Sequence, residues 1–243
     1  MACGNSDQQF LEAFIQQEGL NDIFRRNALQ YFNAYGHRLA KLAEASARPI
    51  IVGLNGAQGS GKSTLSQYLS EMMPRHLHVD CHVVSIDDFY LSKAKRKKLA
   101  TVIHPLLAIR GVPGTHDVPL LLDVLASFIE PSVQTVALPV FDKLKDDRTR
   151  KVRKIQKSAR PTVIVFEGWC VGVPAQQQLA LSVPASGFEF SNDNNGVWRS
   201  YVNEQLQTHY VDVFSRLDRL SMLKPPCFEA VYDWRIDQES RLV

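Results

Sequence analysis

The feature that most constrains this chain is an eight-residue run, Gly-Ala-Gln-Gly-Ser-Gly-Lys-Ser, at positions 56–63. It fits the pattern GxxxxGK(S/T). This pattern indicates phosphate binding only where it lies between a strand and a helix. The flanking residues predict both, because Ile50–Leu54 is an apolar run of strand length and Ser63–Met73 has helical spacing up to Pro74. The run therefore indicates a loop that binds the phosphates of a nucleotide.

The residue types of this loop suit phosphate binding. Glycines let the backbone N–H groups turn toward the phosphates, and the start of the following helix adds a partial positive charge. We expect Lys62 to reach the β- and γ-phosphates, Ser63 to hold Mg²⁺ and Thr64 to meet the α-phosphate. The predicted cofactors are therefore ATP and Mg²⁺. The predicted nucleotide-binding residues are Gly56, Ala57, Gln58, Gly59, Ser60, Gly61, Lys62, Ser63 and Thr64.

Strand and helix patterns alternate through the rest of the chain. Apolar runs of strand length are interleaved with helical spacing, as in the helix predicted over residues 117–129. This alternation predicts an α/β fold of the P-loop NTPase type, with a doubly wound, mostly parallel sheet and helices on both faces. Further strands are predicted at His82–Ile86, Val133–Leu138, Thr162–Phe166 and Asp218–Leu223, and a surface loop at Ser186–Gly196.

Two helical stretches precede the first strand, over residues 8–20 and 22–45, and Pro49 ends them. A chain of 243 residues allows one large domain or two small ones. We therefore divide it into an N-terminal helical extension, residues 1–48, and a nucleotide-binding domain, residues 49–243.

Composition and charge exclude several classes of protein. A net charge of +3 is too small for a chain whose main task is to coat nucleic acid. No CxxC pair is present, so neither a zinc site nor a disulfide framework is predicted. The first residues lack a basic and then apolar leader, and no window is apolar enough to span a bilayer, which predicts a cytoplasmic protein without membrane contact. The cysteines are Cys3, Cys81, Cys170 and Cys227.

Acidic residues follow two of the predicted strands. Asp87 and Asp88 come directly after the run that ends at Ile86, and Glu167 follows Phe166. The carboxyl ends of parallel strands meet at the edge of the sheet where nucleotides bind. Glu167 is therefore a candidate for the Mg²⁺ site, and Asp87 is a candidate to accept the proton of an attacking hydroxyl. The alternative for such acids is a turn or helix cap.

Several motifs in one order resemble a known family. The segments are GLNGAQGSGKST, SIDDFYL, HPLLAIRGVPGTHD, LPVFDKLKDDR, VFEGWCVG and WRSYVNEQL. Together they resemble the phosphoribulokinase, uridine kinase and pantothenate kinase superfamily, and within it most resemble D-glycerate 3-kinases of the plant and fungal type and their bacterial relatives. The resemblance spans residues 45–240. It implies transfer of the γ-phosphoryl group of ATP to a hydroxyl, with D-glycerate as the expected acceptor.

The resemblance also implies roles for individual residues. Asp87 matches the catalytic base, Lys62 and Ser63 match the nucleotide loop, and Glu167 matches the acid after the second nucleotide-binding strand. Arg148 and Arg235 match basic positions of the family that could approach the transferred phosphoryl group. The acceptor is expected to meet Asp87, Tyr90, Arg110 and His116, with Arg110 binding its carboxylate through two N–H groups. The competing interpretations are a solvated ion pair for Arg148 and a helix cap for His116.

The chain departs from the superfamily at its end. These kinases continue into a last strand and helix, whereas this sequence stops at Val243, shortly after Trp234. We therefore expect the final strand and helix to be missing, which would leave one sheet edge exposed.

Other functions remain open at this point. Residues 143–160 contain nine basic and two acidic residues, and residues 93–98 add five basic ones. No aromatic residues are interleaved with them for base stacking, so an anionic small molecule, such as a hydroxy acid, is the predicted partner rather than nucleic acid. The alternatives are a uridine- or pantothenate-type kinase and a non-catalytic nucleotide sensor. A regulatory GTPase is disfavoured because no NKxD guanine reader is present.

Overall fold

The computed structural model describes residues 5–240, and describes the side chains of residues 7–234 and 236. A four-stranded sheet carries the fold, and a two-stranded hairpin lies beside it. The strands are β1 (Ile50–Gly56), β2 (Asp80–Ser85), β3 (Thr135–Asp142), β4 (Asp147–Gln156), β5 (Thr162–Gly168) and β6 (Arg219–Leu223). The helices are α1 (Asn5–Glu18), α2 (Asp22–Asn27), α3 (Asn33–Glu44), α4 (Lys62–His76), α5 (Lys93–Val102), α6 (Val118–Ile129), α7 (Gly187–Asn192), α8 (Val197–Gln205), α9 (Val211–Phe214) and α10 (Phe228–Ser240). Short π-helical segments lie at Ala28–Phe32 and Leu206–Tyr210, and 3₁₀ turns at Ile86–Phe89, Pro105–Ala108 and Gln178–Leu181.

All four strands of the main sheet run parallel, in the order β2, β5, β1, β6. The register aligns their C-terminal ends, because Glu167 of β5 lies opposite Leu54 of β1 and Ser85 of β2. The predicted parallel α/β sheet is confirmed. The residues that follow β1, β2 and β5 therefore share one edge of the sheet.

The residues of β1 alternate between two separate cores. Ile50, Val52 and Leu54 pack with α1, α3 and α4, whereas Ile51 packs on the opposite face with α6 and α9. Strand β5 divides in the same way between the two cores. A parallel strand covered on both faces needs apolar residues at successive positions, which is why these strands read as continuous apolar runs.

The N-terminal helices pack on α4 through aromatic rings. Phe14 and Phe24 meet the ring of Tyr68 edge to face, with centroid distances of 5.2 and 5.6 Å. The Tyr68 hydroxyl donates a hydrogen bond of 2.6 Å to Asn33. Such aromatic pairs stabilise a core beyond their area burial. The extension is thus anchored to the helix that begins at the phosphate loop, and its boundary at residue 48 stays a prediction.

Two local predictions were wrong. Helix α4 continues past Pro74 to His76, because Met73 is buried and its carbonyl accepts a hydrogen bond of 2.9 Å from the N–H of Leu77. The segment predicted as a surface loop at Ser186–Gly196 contains α7, whose first turn is capped by the Ser186 hydroxyl.

Strands β3 and β4 form an antiparallel hairpin that the sequence predicts only in part. Strand β3 is longer than the predicted Val133–Leu138, and the basic segment after it is a strand rather than an irregular surface. In β4 only Ile155 is buried, opposite Val136. A strand with a single buried residue has no apolar alternation, so its pattern cannot indicate it.

Strand β6 is an edge of the sheet in the described part of the chain, where it pairs with β1 alone. Leu220 and Met222 of β6 are exposed. Whether another strand belongs on this edge stays a prediction. Helix α10 follows β6 and returns to the phosphate loop, since a Cβ placed on Gly59 would lie 2.6 Å from the Cβ of Trp234. Among the helices described here, none is long and apolar enough to cross a membrane.

Arg96 of α5 is a fully buried charged side chain. Its guanidinium donates to the carbonyl oxygens of Leu91, Ala108 and Asp146 at 3.2, 3.0 and 2.6 Å. It also pairs with the Asp146 carboxylate at 2.9 Å. Arg96 therefore fastens α5 to the tip of the β3–β4 hairpin.

Replacing Arg96 with methionine is expected to lower the free energy of unfolding by about 3 kcal/mol, because a buried ion pair that loses one partner leaves the other groups unpaired. Lys97→Met, at an exposed position of the same helix, is the matched control and should change stability by no more than about 0.5 kcal/mol. Urea unfolding followed by circular dichroism measures both variants. Equal stability of the two variants would contradict the role given to Arg96.

Candidate active site

The phosphate loop lies between β1 and α4, where the sequence places it. Gly59 and Gly61 have φ angles of +77° and +86°, a region that residues with a Cβ rarely adopt. Gly61 directly precedes α4, and Ser63 and Thr64 lie in the first turn of this helix. The loop amides and the helix N-terminus together form an arrangement that suits a phosphate anion.

Lys62 is the first residue of α4, and its side chain folds back over the loop. Its Nζ donates a hydrogen bond of 2.9 Å to the carbonyl oxygen of Ala57. Partial burial lowers the pKa of Lys62, while the charges of Glu167 and Asp87 act in the opposite direction. A cation at the loop thus faces two carboxylates at the ends of neighbouring strands.

Glu167 and Ser63 lie together below the loop. The Ser63 hydroxyl donates to Glu167 Oε1 at 3.4 Å, and Glu167 is 6% exposed. Burial raises the pKa of Glu167, although a hydrogen bond from Ser85 and the charge of Lys62 oppose that shift. Hydroxyl and carboxylate oxygens are ligands that Mg²⁺ accepts, and the ion takes its other ligands from phosphates and water. The two side chains therefore fit a magnesium ion.

A site made of protein ligands alone is not seen in the described part of the chain. Among the side chains of residues 7–234 and 236, no three His, Cys, Asp or Glu groups cluster in a way that could hold a metal ion.

Asp87 lies just after β2, in the 3₁₀ turn Ile86–Phe89. Its carboxylate accepts a hydrogen bond of 3.2 Å from the Tyr90 hydroxyl and one of 2.9 Å from Lys143 Nζ. Burial alone would raise the pKa of Asp87, but the charge and hydrogen bond of Lys143 outweigh it, so the pKa lies below its usual value. Asp87 is therefore ionised at neutral pH and can accept a proton.

Asp88 has a different environment from its neighbour. Its Oδ1 accepts a hydrogen bond of 3.4 Å from the N–H of Phe141, at the end of β3. Burial raises the pKa of Asp88, and the Phe141 N–H only partly offsets this. Of the two adjacent acids, Asp88 holds the hairpin and Asp87 faces Lys62 and Glu167.

His116 is a buried, neutral imidazole beside Asp87. Its ring stacks on Tyr90 at a centroid distance of 4.4 Å, and its Nδ1 lies 2.6 Å from the Tyr210 hydroxyl. The same hydroxyl oxygen accepts the N–H of Gly114 at 3.0 Å. Burial lowers the pKa of His116 to about 3.

The Nε2 atom of His116 has no hydrogen-bond partner among the described residues, although it is buried. A buried polar nitrogen without a partner is costly, which makes a bound hydrogen-bonding group favourable at this place. The helix cap that competed for His116 is instead provided by Asp117, whose carboxylate accepts the N–H of Leu120 at 3.3 Å.

The arginines predicted near the reaction centre have other partners. Arg148 pairs with Asp117 at 3.0 Å and donates to the carbonyl oxygen of Tyr90 at 3.0 Å. Arg110 pairs with Asp146 and lies over the ring of Phe141, 5.6 Å from its centroid. Within the described residues Arg110 makes no other hydrogen bond, so most of its N–H groups stay available. The side chain of Arg235 lies outside the described residues, and the three roles stay predictions.

The residue that sequence reasoning missed is Lys143. It follows β3 and makes the 2.9 Å contact with Asp87 described above. The signal available in the sequence was its position directly after an apolar strand pattern, in the segment LPVFDKLKDDR. Nothing in the segment distinguishes Lys143 from its basic neighbours, because only the hairpin brings it to β2.

Comparison with known proteins agrees with this geometry. The model of the KAP family P-loop domain matches residues 32–112. The kinase mug58 of Schizosaccharomyces pombe is 36% identical over 214 residues, covering 84% of this chain and 75% of that protein. The probable ATP-dependent kinase TDA10 of Saccharomyces cerevisiae is 32% identical over 211 residues, covering 80% and 69%.

A solved structure extends the likeness to the whole fold. The D-glycerate 3-kinase of Cryptococcus neoformans superposes with a TM-score of 0.71 and 26% identity, over 86% of this chain and 79% of that one. These relatives are kinases, and the phosphate loop and parallel sheet of this chain agree with an ATP-dependent phosphotransferase that acts on a small-molecule substrate. The chain belongs to the family of ATP-dependent P-loop kinases that includes mug58 and TDA10, within the superfamily that also contains the D-glycerate 3-kinases.

Proposed function

We propose that this kinase phosphorylates D-glycerate, with Asp87 as the base and Mg²⁺ held by Ser63 and Glu167. The position of Asp87 carries the proposal, because this ionised carboxylate lies at the same sheet edge as the phosphate loop. A kinase that acts on an alcohol needs an acid there to orient and deprotonate the hydroxyl. The likeness to the fungal D-glycerate 3-kinase favours glycerate as the alcohol.

The reaction assigns one task to each group. Asp87 accepts the proton of the hydroxyl as its oxygen bonds to the γ-phosphorus, the bond from that phosphorus to the bridging oxygen breaks, and ADP leaves with the electron pair. Lys62 and the loop amides offset the charge of the β- and γ-phosphates. Mg²⁺, when bound, would neutralise phosphate charge and fix the orientation of the phosphates.

The acceptor contacts are assigned to Tyr90, Arg110 and His116. The free N–H groups of Arg110 can bind a carboxylate, and an anionic three-carbon acid needs such a partner. The unpartnered Nε2 of His116 suits a hydroxyl group of the acceptor, which can donate or accept a hydrogen bond. Uridine carries no charge for Arg110 to bind, which favours the hydroxy acid.

The basic surface supports the same assignment. In β4 the side chains of Arg150, Lys151, Arg153 and Lys154 are exposed. Positive charge near a site raises the encounter rate with anionic ligands such as ATP and glycerate. No aromatic ring lies among these four side chains to stack on a base. We therefore propose small anions rather than nucleic acid as the ligands. We also propose the cytoplasm as the location.

The test is ATP consumption with D-glycerate, uridine and pantothenate in parallel, with phosphorus NMR to identify the product. We expect sustained turnover with D-glycerate. We also expect Arg110→Lys to raise the KM for glycerate by about tenfold or more with little change in the KM for ATP, since a bidentate contact with a carboxylate is lost.

Two outcomes would count against the proposal. Efficient phosphorylation of uridine or pantothenate, without any of glycerate, would refute the acceptor while leaving the kinase intact. Binding of ATP without turnover on any acceptor would favour a nucleotide sensor. The control for Arg110 is Arg150→Lys, at an exposed position of β4, which should leave both KM values unchanged.

A further inference from the structure

The charge of Lys143 acts on several ionisable groups of the site. Besides its 2.9 Å contact with Asp87, its charge lowers the pKa values of Lys62, Asp88 and Glu167. The contact with Asp87 places the ammonium at the edge of the sheet that carries the phosphate loop. Arg148, which the sequence suggests for the phosphoryl group, instead pairs with Asp117.

The backbone around Lys143 is held on both sides. Before it, the N–H of Phe141 donates to Asp88 at 3.4 Å, and the Asp142 carboxylate accepts the N–H groups of Leu144 and Lys145 at 3.0 Å each. After it, Asp146 is fixed by the buried Arg96. These bonds fix the position of the lysine backbone relative to β2.

The side chain of Lys143, by contrast, is free to change its rotamer. It is 62% exposed, and its ion pair among the described residues is with Asp87. Lysine carries its charge on a flexible four-carbon chain with three donors, so it can exchange one anionic partner for another nearby. A fixed backbone with a mobile ammonium suits a group that acts at two neighbouring positions.

The ion pair between Lys143 and Asp87 opposes the proposed function of Asp87 as a base. A carboxylate that is bound to an ammonium is less able to take a proton, because its charged form is stabilised. A bound γ-phosphate brings negative charge to the same place, and an ammonium favours the more highly charged anion.

We propose that Lys143 is a catalytic residue that pairs with Asp87 before ATP and acceptor bind and moves to the oxygens of the transferring phosphoryl group once they are bound. The proposal rests on the proposed role of Asp87 as the base. Lys143 keeps its proton throughout, while the hydroxyl proton passes to Asp87 and ADP leaves with the electron pair of the broken bond. The structure thereby gives one lysine a task in both states of the site.

The test compares Lys143→Met and Lys143→Arg with Lys145→Met as the matched control. Lys145 lies on the same turn, is 81% exposed and faces Asp142 rather than Asp87. We expect Lys143→Met to lower kcat by about 10²-fold or more, the loss typical of one donor to the transition state. Lys143→Arg should recover part of this loss, and Lys145→Met should match the wild type.

The pH profile separates this role from a structural one. Because the charge and hydrogen bond of Lys143 lower the pKa of Asp87, Lys143→Met should move the acidic limb of the kcat/KM profile, which reports the free enzyme, to higher pH. In the kcat profile, which reports the loaded enzyme, the shift should be smaller, since the lysine has then left Asp87. Equal shifts in both profiles, or no shift in either, would overturn the proposal.

A titration that needs no turnover tests the role of Lys143 separately from the identity of the acceptor. Carbon NMR of ¹³C-labelled aspartate in the unloaded protein should show one carboxyl, assigned with Asp87→Asn, that titrates at higher pH in Lys143→Met than in the wild type or Lys145→Met. An unchanged titration would overturn the role of Lys143. Failure of glycerate in the acceptor panel would instead overturn the acceptor alone.

Discussion

Replacing Lys62 with alanine is expected to lower turnover by about 10²–10³-fold or more while the protein stays folded. The ammonium compensates the charge that develops on the β- and γ-phosphates, and such groups act strongly in a site that excludes water. Among the described residues its side-chain hydrogen bond goes to the Ala57 carbonyl. Its loss therefore removes little of the packing that holds α4, which buries Leu65 and Leu69 in the core.

Initial-rate assays and thermal unfolding by circular dichroism decide this prediction. Lys97→Ala, at an exposed position of α5, serves as the control for loss of one lysine and should keep wild-type turnover. A folded Lys62→Ala protein with near-normal activity would show that the loop does not position the transferred phosphate.

Replacing Asp87 with asparagine is expected to lower turnover by about 10²–10⁴-fold, the usual contribution of a general base, with little loss of ATP affinity. The amide can still accept the hydrogen bond of the Tyr90 hydroxyl, so the local fold should persist, but it cannot take a proton. Because the pKa of Asp87 is lowered in the folded protein, wild-type kcat/KM should hold at neutral pH and fall only as the pH drops through that lowered pKa.

Asp88→Asn is the matched control, one residue away. An amide oxygen at this position can replace the carboxylate as acceptor for the Phe141 N–H, so turnover should fall far less than in Asp87→Asn. Steady-state kinetics of both variants, with ATP binding followed by calorimetry, provide the comparison. Greater sensitivity at Asp88 would mean that the base has been assigned to the wrong residue of the pair.

The parts of the fold that the sequence predicts are those with a local cause. Strands β1 and β5 are buried on both faces, so each appears as an unbroken apolar run. The phosphate loop is set by glycines whose positive φ angles a motif can encode. The predicted topology alone indicates that Asp87 and Glu167 lie close together, because residues at the carboxyl ends of parallel strands meet at one edge of the sheet.

The parts that could not be predicted depend on contacts between distant segments. Strand β4 carries a row of basic residues and is a strand because β3 pairs with it. Arg96 belongs to a basic run that reads as solvated, yet it is buried because Asp146 and two other carbonyls converge on it. The partner of Arg148 is Asp117, and no sequence spacing links the two.

The contact between Gly59 and Trp234 bears on how kinases of this fold are identified from their sequences. The space beside Gly59 is filled by the Cβ and backbone of a residue in the last described helix, so a side chain at position 59 would collide with this helix. A relative shortened after β6 would still match the phosphate-loop pattern, yet it would lack the residues that pack against it. Genome surveys that count kinases by the loop motif alone would include such fragments, whereas a survey that requires both segments would leave them out.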